Sequence, residues 1–296
     1  MKSATLIYNP KAGSGAYSEK ELMTLIEENG YNCRLLSTKK DKWKKLSSNT
    51  DLIIVAGGDG TVRKVITKLL DKKTAAESPP LAILPLGTAN NVMKTLYGKK
   101  NVKQIIASWK KASVIKHDVG VIEGISRPDF FLESFGFGIF PSFMKKLKKG
   151  KINLGKTPGE QLKTAQKIFH QCIVKSKPYK CRLKIDGKDY SGKYFSVEVM
   201  NTASLGPNLK LAPTVDMTDG QLDVVLINEK NKHRLDDYVF NKAKQKKITF
   251  RDSSIKAKKI SIRWHNSHAH ADGELVKLHN GKIKISVGEK VLKFLV

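Results

Sequence analysis

The sequence predicts an α/β N-terminal domain with a parallel sheet, joined to a mainly antiparallel β second domain. Two observations carry this. Over roughly the first hundred residues, continuous apolar runs such as Leu52, Ile53, Ile54 and Val55 pass directly into helical spacing, the pattern of strands buried on both faces of a parallel sheet. From about residue 112 the spacing becomes period two, in Cys181, Leu183, Ile185 and again in Phe195, Val197, Val199, with Asp186-Gly187 and Asn280-Gly281 supplying hairpin turns.

Taken in order, residues 4–8 form the first strand and NPKAGSG its loop. Ser18 and Glu21 make a capping box, Leu22, Leu25 and Ile26 give the helix its apolar face, and Gly30 ends it. The strand at 52–55 runs through GGDGT into a helix marked by Val62, Val65, Ile66, Leu69 and Leu70, with Thr61 as its N-cap. A short buried strand at 81–84 leads through PLGTANN to a helix with Val92, Met93 and Leu96; Val102, Ile105, Ile106 and Trp109 mark one more. Three strand-to-helix loops can therefore converge on one sheet edge. In the second domain one helix, with Leu162, Ala165, Phe169 and Cys172 on a single face, interrupts the strands. Before it, PSFMKKLKKGK sets Phe143 and Leu147 four apart among cations, either a short interfacial helix on a membrane or a basic loop with two apolar anchors in the core.

A chain of 296 residues suits about two domains, each able to bury its own core. No apolar run approaches the roughly 18 residues that span a bilayer, and the N-terminal apolar stretch is too short for a signal peptide, so a cytoplasmic location is expected. Three cysteines, Cys33, Cys172 and Cys181, at irregular spacing argue against a disulfide framework or a zinc cluster. The 55 Lys plus Arg against 27 Asp plus Glu give a net charge of +28, a field that attracts polyanions. The excess is mostly lysine with little aromatic interleaving, which favours a solvated face or an anionic membrane leaflet over nucleic acid.

The chemistry concentrates in two places. Gly57, Gly58 and Gly60 let the backbone approach a ligand while a helix N-terminus faces an anion, and Asp59 beside them suggests metal-assisted phosphate chemistry. Late in the chain, Asp272 and Glu274 in HAHADGEL stand two apart, so on an extended segment both carboxylates face one site, where one could orient a hydroxyl and accept its proton. His268 and His270 share a face but lack a third ligand, and read as surface or core histidines. GKINLGKT at 150–157 fits the string of a Walker A loop but follows MKKLKK rather than a buried strand, so it is set aside.

Together NPKAGSG, GGDGT, PLGTAN, NTASLGPNLKLAPTVDMTDGQLDV and the late DGE resemble the diacylglycerol kinase catalytic-domain family, which includes sphingosine kinases and soluble bacterial lipid kinases, over nearly the whole chain and in the right order. The resemblance implies an α/β nucleotide-binding domain of the NAD kinase and phosphofructokinase type over residues 1–116, with 287–296 returning to it, and a β-rich, β-sandwich-like lipid-substrate domain over 117–286. It implies an ATP- and Mg²⁺-dependent kinase acting on a hydroxyl of diacylglycerol or a related lipid, peripheral to an anionic membrane. Asn9, Pro10, Lys11, Ala12, Gly13, Thr38, Gly58, Asp59, Gly60, Thr61, Val62, Arg63, Lys64 and Thr88 match positions lining the family's nucleotide site, with Gly57, Gly87 and Asn90 in the same loops. Glu274 matches the proton acceptor, with Asp272 in support and Asp59 organising metal or nucleotide. TVDMTDGQLD resembles a metal loop in which the carbonyls of Met217, Gly220 and Leu222, near Asp219, hold magnesium, and Asp118 resembles the acid that links it to the nucleotide site.

The chain departs from the family pattern at Arg63 and Lys64, at Asn91 where an acid is common, and at Glu133 and Ser134 where an asparagine is frequent. GGDGT by itself is shared with NAD kinases and phosphofructokinases. An NAD-kinase-like phosphotransferase and a catalytically weakened nucleotide- or lipid-binding member therefore stay open as alternatives. Neither the lipid nor the oligomeric state is indicated.

Overall fold

The computed structural model describes residues 1–12, 16–39, 50–71, 78–125, 129–150, 152–251, 254–264, 268–278 and 282–296. They divide into two compact units, Met1–His117 with Lys290–Val296, and Asp118–Glu289.

In the first unit β1 (Lys2–Tyr8), β2 (Tyr31–Ser37), β3 (Leu52–Gly57) and β4 (Leu81–Pro85) form a parallel sheet in the order β4-β3-β1-β2. Every residue of β3 is buried, which explains a run with no alternation; each such side chain contributes about 1.5–3 kcal/mol of burial. The helices are α1 (Glu19–Glu27), α2 (Asp59–Asp71), α3 (Asn91–Tyr97) and α4 (Val102–Ser108). The Ser18–Glu21 capping box is present, and Asn101 with Gln104 makes another before α4. Helix α2 begins three residues earlier than expected from Thr61 as its N-cap, at Asp59 instead of Val62. The Gly58 carbonyl accepts the N–H groups of Thr61 and Val62 at 2.8 and 3.1 Å, so the glycine starts the helix, and the Thr61 hydroxyl is left to accept Asn9 Nδ2 at 2.8 Å. The Tyr97 hydroxyl donates to the Leu295 carbonyl at 2.9 Å and accepts the Ile83 N–H at 3.3 Å, fixing α3 to β4 and to the last strand. The chain leaves this unit within β5 (Val114–Glu123) and returns within β19 (Lys282–Leu295), whose Phe294 pairs with Leu81.

In the second unit an antiparallel sheet runs β15 (Ile255–Ala257), β14 (Leu222–Ile227), β11 (Ser196–Met200), β7 (Ser134–Gly138), β17 (His268–Ala271), β18 (Glu274–Lys277). Facing it are β10 (Gly192–Tyr194), β8 (Tyr179–Ile185), β16 (Lys259–Trp264) and the start of β19, also antiparallel. Short pieces β6 (Phe130–Phe131), β9 (Lys188–Asp189), β12 (Ser204–Leu205) and β13 (Leu209–Lys210) complete the strands. Period two sorts the side chains. Phe135, Phe137, Val197 and Val199 meet Leu183, Ile260, Ile262 and Trp264 in a core between the sheets. The opposite face of the six-stranded sheet packs under α5 (Ile139–Lys149), α6 (Pro158–Lys175) and α7 (Lys232–Ala243) through Phe140, Phe143, Phe169, Tyr238 and Val239.

Of these helices the sequence marked α6, left α5 open between a short helix and a loop, and gave no sign of α7. The apolar residues of α5 and α7 are set among lysines, which hides their stripe, although Phe143 is 4% exposed and Leu147 packs against the same core. The apolar side of α5 is therefore used by the protein core, not by a membrane. Thr157 in GKINLGKT is the N-cap of α6: its hydroxyl accepts the Glu160 N–H, while Glu160 Oε2 takes the N–H groups of Lys156 and Thr157 at 2.8 and 3.0 Å. A carboxylate fills the place where a phosphate loop would hold its ligand. Asp186-Gly187 is a two-residue turn with φ of 46° and 83°, as expected; Asn280-Gly281 lies outside the described residues. The three cysteines are free, and burial pushes the Cys33 thiol up to about 11 and that of Cys181 to about 12.

Candidate functional site

Parallel neighbours β1, β3 and β4 end on the same edge, so the loops that follow them adjoin. The Asn9 N–H donates to the Ala56 carbonyl at 3.0 Å, the Leu86 N–H to the Gly57 carbonyl at 3.1 Å, and the Thr38 N–H to the Tyr8 carbonyl at 2.9 Å. Two glycines let the second and third loops touch backbone to backbone: a Cβ on Gly87 would come 2.3 Å from Gly58 Cα and 2.7 Å from Asn90 Oδ1. Asn90, at φ 51°, exchanges bonds with Gly87 through both side-chain atoms, at 3.0 and 2.8 Å. Asn9 Oδ1 accepts the Lys11 N–H at 3.1 Å and the Asn9 carbonyl accepts the Ala12 N–H at 3.0 Å, closing the turn at Pro10. Gly57 lies against Thr61, Val62 and Arg63 are buried, and Gly60 and Lys64 are exposed. Thr88 is half-buried beside Gly87, and Gly13 lies outside the described residues.

Asp59 does more than flank this loop. Its Oδ1 accepts the Val92 N–H at 3.2 Å, so the carboxylate caps α3 from another helix. Burial pushes its pKa up, against the opposing pull of the Asn91, Val92 and Asn90 amides and of Lys94. The N–H groups of Asp59 and Gly60, which precede the two that the Gly58 carbonyl accepts, open α2 on the same edge as the glycines, a geometry that accepts an anion.

In the second unit Asp272 and Gly273, at φ 47° and 77°, form a two-residue turn between β17 and β18, with Ala271 paired to Glu274. The expectation of an extended segment fails here, and with it the argument that both carboxylates point the same way. Asp272 turns back instead: Oδ2 accepts the Leu132 N–H at 2.8 Å, Oδ1 the Glu133 and Ser134 N–H groups at 2.7 and 3.2 Å, and its own N–H donates to the Ser134 carbonyl at 2.9 Å. Glu274 is exposed at the start of β18. His268 is half-buried; burial first, then Lys145 and Lys277, lowers its pKa.

The loop at 217–222 is tied to Asp118, whose N–H donates to the Met217 carbonyl at 2.7 Å and whose Oδ2 accepts the Gly220 N–H at 2.8 Å; Leu222 begins β14. Its acids already have a cation. Lys256 Nζ lies 2.8 Å from Asp219 Oδ2 and 2.9 Å from Asp223 Oδ2. Burial works against the charged form of Lys256, but the two aspartates outweigh it and hold its pKa above the ordinary lysine value. Among the described residues no group of three or more His, Cys, Asp or Glu is placed to hold a metal ion. The ligands expected for magnesium in this loop are backbone carbonyls, and that of Met217 accepts the Asp118 N–H.

Asn201, the first residue of the NTASLG stretch and given no role in the sequence reading, knits these parts together. It is fully buried, and Nδ2 donates to the carbonyls of Asp118 and Leu132 at 3.0 and 3.1 Å. Bonds thus run without a gap from the 217–220 loop through Asp118, Asn201 and Leu132 to Asp272.

The family model of the diacylglycerol kinase catalytic domain matches residues 3–122, and that of the YegS C-terminal NAD kinase beta sandwich-like domain matches residues 161–289. A diacylglycerol kinase of Bacillus subtilis is 28% identical over 251 residues, covering 78% of this chain and 75% of that protein. The mitochondrial acylglycerol kinase of Xenopus laevis is 33% identical over 164 residues, half of this chain and 38% of that protein. A diacylglycerol kinase crystal structure from Bacillus anthracis superposes with a TM-score of 0.73 at 25% identity, covering 99% of this chain and 96% of the other. An NAD kinase from Archaeoglobus fulgidus in complex with ATP reaches a TM-score of 0.55 at 15% identity over all of this chain and 94% of its own, which shows the fold alone. Two consecutive family matches on an α/β unit and a β-sandwich unit leave one assignment: the chain belongs to the diacylglycerol kinase catalytic-domain family, a family of lipid kinases.

Proposed function

We propose that the protein transfers the γ-phosphoryl group of ATP to a hydroxyl of diacylglycerol or a related lipid. The observation that carries the reading is the backbone contact of Gly58 with Gly87, which brings GGDGT and PLGTAN together beside the NPKA turn with helical N–H groups facing outward. The triphosphate lies along residues 9–12 and 57–61, with Thr38, Arg63, Lys64, Thr88 and Asn90 around it. Magnesium accompanies the ATP phosphates and supplies charge neutralisation. Glu274 takes the proton of the acceptor hydroxyl as its oxygen bonds the γ-phosphorus, and the bond to the β–γ bridging oxygen breaks to release ADP. Asp272 holds the turn that presents Glu274. The names of the relatives, diacylglycerol kinase and acylglycerol kinase, support a glycerolipid acceptor.

The test is transfer of labelled phosphate from ATP into a chloroform-extractable product across a panel of lipids. Glu274→Gln should lower turnover by about 10²–10⁴ with ATP binding kept; unchanged turnover rejects Glu274 as the base. The same reading places the protein at an anionic membrane. Lys148 and Lys149 on α5, Lys163 and Lys167 on α6 and Lys244 on α7 are all exposed, with Val174 and Phe240 exposed by 56% and 42% among them. Each basic residue near such a surface contributes about 1 kcal/mol.

A further inference from the structure

A buried acid and a buried base lie beneath the helices of the second unit, and the phosphoryl-transfer reading uses neither. Glu198 on β11 is 0% exposed and His270 on β17 is 1% exposed. His270 Nε2 and Glu198 Oε2 are 2.7 Å apart, although β7 runs between their strands.

The register explains how they meet. Glu198 pairs with Gly136 on one side of β7, and His270 pairs with the same Gly136 on the other, so the three form one row across the sheet. Gly136 leaves the gap: a Cβ there would stand 2.0 Å from Glu198 Oε2 and 2.4 Å from its Cδ. The carboxylate lies across the glycine, and Ser196 Oγ, 2.8 Å from Oε1, steadies its other oxygen. The His270 ring sits 5.6 Å from that of Phe140. Apolar side chains at these positions would fill the layer at no desolvation cost, whereas burying two ionisable groups is costly. What the polar pair adds is direction, because a short hydrogen bond fixes position along and across the strands while apolar contact does not.

The hairpin it acts on needs that fixing. Among the described residues β17 pairs with β7 at three positions, Asp272 anchors only the turn end, and β18, which begins with Glu274, is the last strand of its sheet. Resting on the proposed role of Glu274, we propose that Glu198 and His270 are positioning residues: a strap across β7 that sets the register and height of the β17–β18 hairpin and so the place of the Glu274 carboxylate.

The experiment compares Glu198→Val/His270→Val, in which both polar groups are removed together, with Glu198→Gln, which keeps an acceptor for His270. Thermal unfolding, kcat, KM for ATP and hydrogen exchange at the amides of 271–275 are measured on each full chain. The proposal expects the double variant to unfold within a few degrees of the parent and to keep KM for ATP within about twofold. Its kcat should fall at least about tenfold, since misplacement by about 1 Å costs up to 10²-fold, and exchange in the hairpin should quicken by a similar factor. Glu198→Gln should retain most of kcat. A well-folded double variant with parental kcat and parental hairpin exchange overturns the proposal. If no lipid accepts phosphate from the parent, the function reading fails, and exchange at 271–275 still decides whether the strap holds the hairpin.

Discussion

Gly60→Ala separates a phosphate site from a merely tight turn, because the two readings assign opposite signs to its effects. Gly60 is the second residue of α2, has no positive φ, and would have nothing within 4 Å of an added Cβ. Alanine there lowers the conformational entropy of the unfolded chain and should stabilise the protein by about 0.5–1 kcal/mol, raising Tm by about 2–3 °C in a chain of this size. With phosphates packed on the Asp59 and Gly60 amides, the same methyl intrudes on the ligand. Overpacking of about 1–3 kcal/mol weakens ATP binding by about 5–150-fold. Thermal unfolding without nucleotide and titration calorimetry with ATP read the two effects. Gly87→Ala is the contrasting control. Its Cβ would lie 2.3 Å from Gly58 Cα, and since carbon contacts settle near about 3.5 Å, the loops must part by about 1.2 Å, so stability and affinity should fall together. ATP affinity within twofold of the parent in a stabilised Gly60→Ala variant refutes the reasoning.

Two further outcomes follow from charges the structure locates. Asp59→Asn keeps an oxygen for the Val92 N–H and removes a charge that burial disfavours. It should unfold at or above the parental temperature while turnover collapses, whereas Asp59→Ala loses the cap and about 1 kcal/mol. The sign of the pH dependence follows from the raised pKa. The native state binds this proton more tightly than the unfolded chain, so ionisation of Asp59 erodes stability as pH rises above the ordinary aspartate value of 3.8. The Tm advantage of Asp59→Asn should therefore grow between about pH 4 and 7; an advantage flat with pH contradicts it. For the basic helices, sedimentation with vesicles should rise with the fraction of anionic lipid and weaken with salt. Binding insensitive to both removes the electrostatic account.

Where the number of covered faces set the pattern, the sequence was readable. The unalternating run of β3, covered on both faces, and the alternation of β8, covered on one, follow from this, whereas β11 alternates in sequence although all its residues are buried. The glycines of GGDGT and PLGTAN were legible for a related reason: only a residue without Cβ permits the Gly58–Gly87 approach. Helix α7 was not, and α5 stayed open between a helix and a loop, because lysines surround their apolar positions and blur the stripe. Asp59 as a cap for α3, Asn201 between Asp118 and Leu132, and Glu198 against His270 were beyond reach, since each joins residues 33 to 83 apart in sequence. Such pairs exist only once strand order is known.

The Asp-Gly dipeptide closes two described hairpins of the second unit, and comparing them tests the role proposed for the later one. Asp186-Gly187 and Asp272-Gly273 share left-handed φ values, 46° and 83° against 47° and 77°. Both aspartates reach sideways to backbone amides: Asp186 to the N–H groups of Lys258 and Lys259, Asp272 to those of Leu132, Glu133 and Ser134. Aspartate and glycine thus have the same architectural use in each. The difference is the next residue, Lys188 in one hairpin and Glu274 in the other. Asp186→Ala and Asp272→Ala should each cost stability, about 1.5–3 kcal/mol for a lost charged hydrogen bond. Only Asp272→Ala should also lower kcat, because only its hairpin carries Glu274. Urea unfolding paired with lipid phosphorylation at a temperature where both variants are folded measures this directly. Equal loss of kcat in the two would mean that activity follows general stability, and Glu274 would then have no claim to the chemistry.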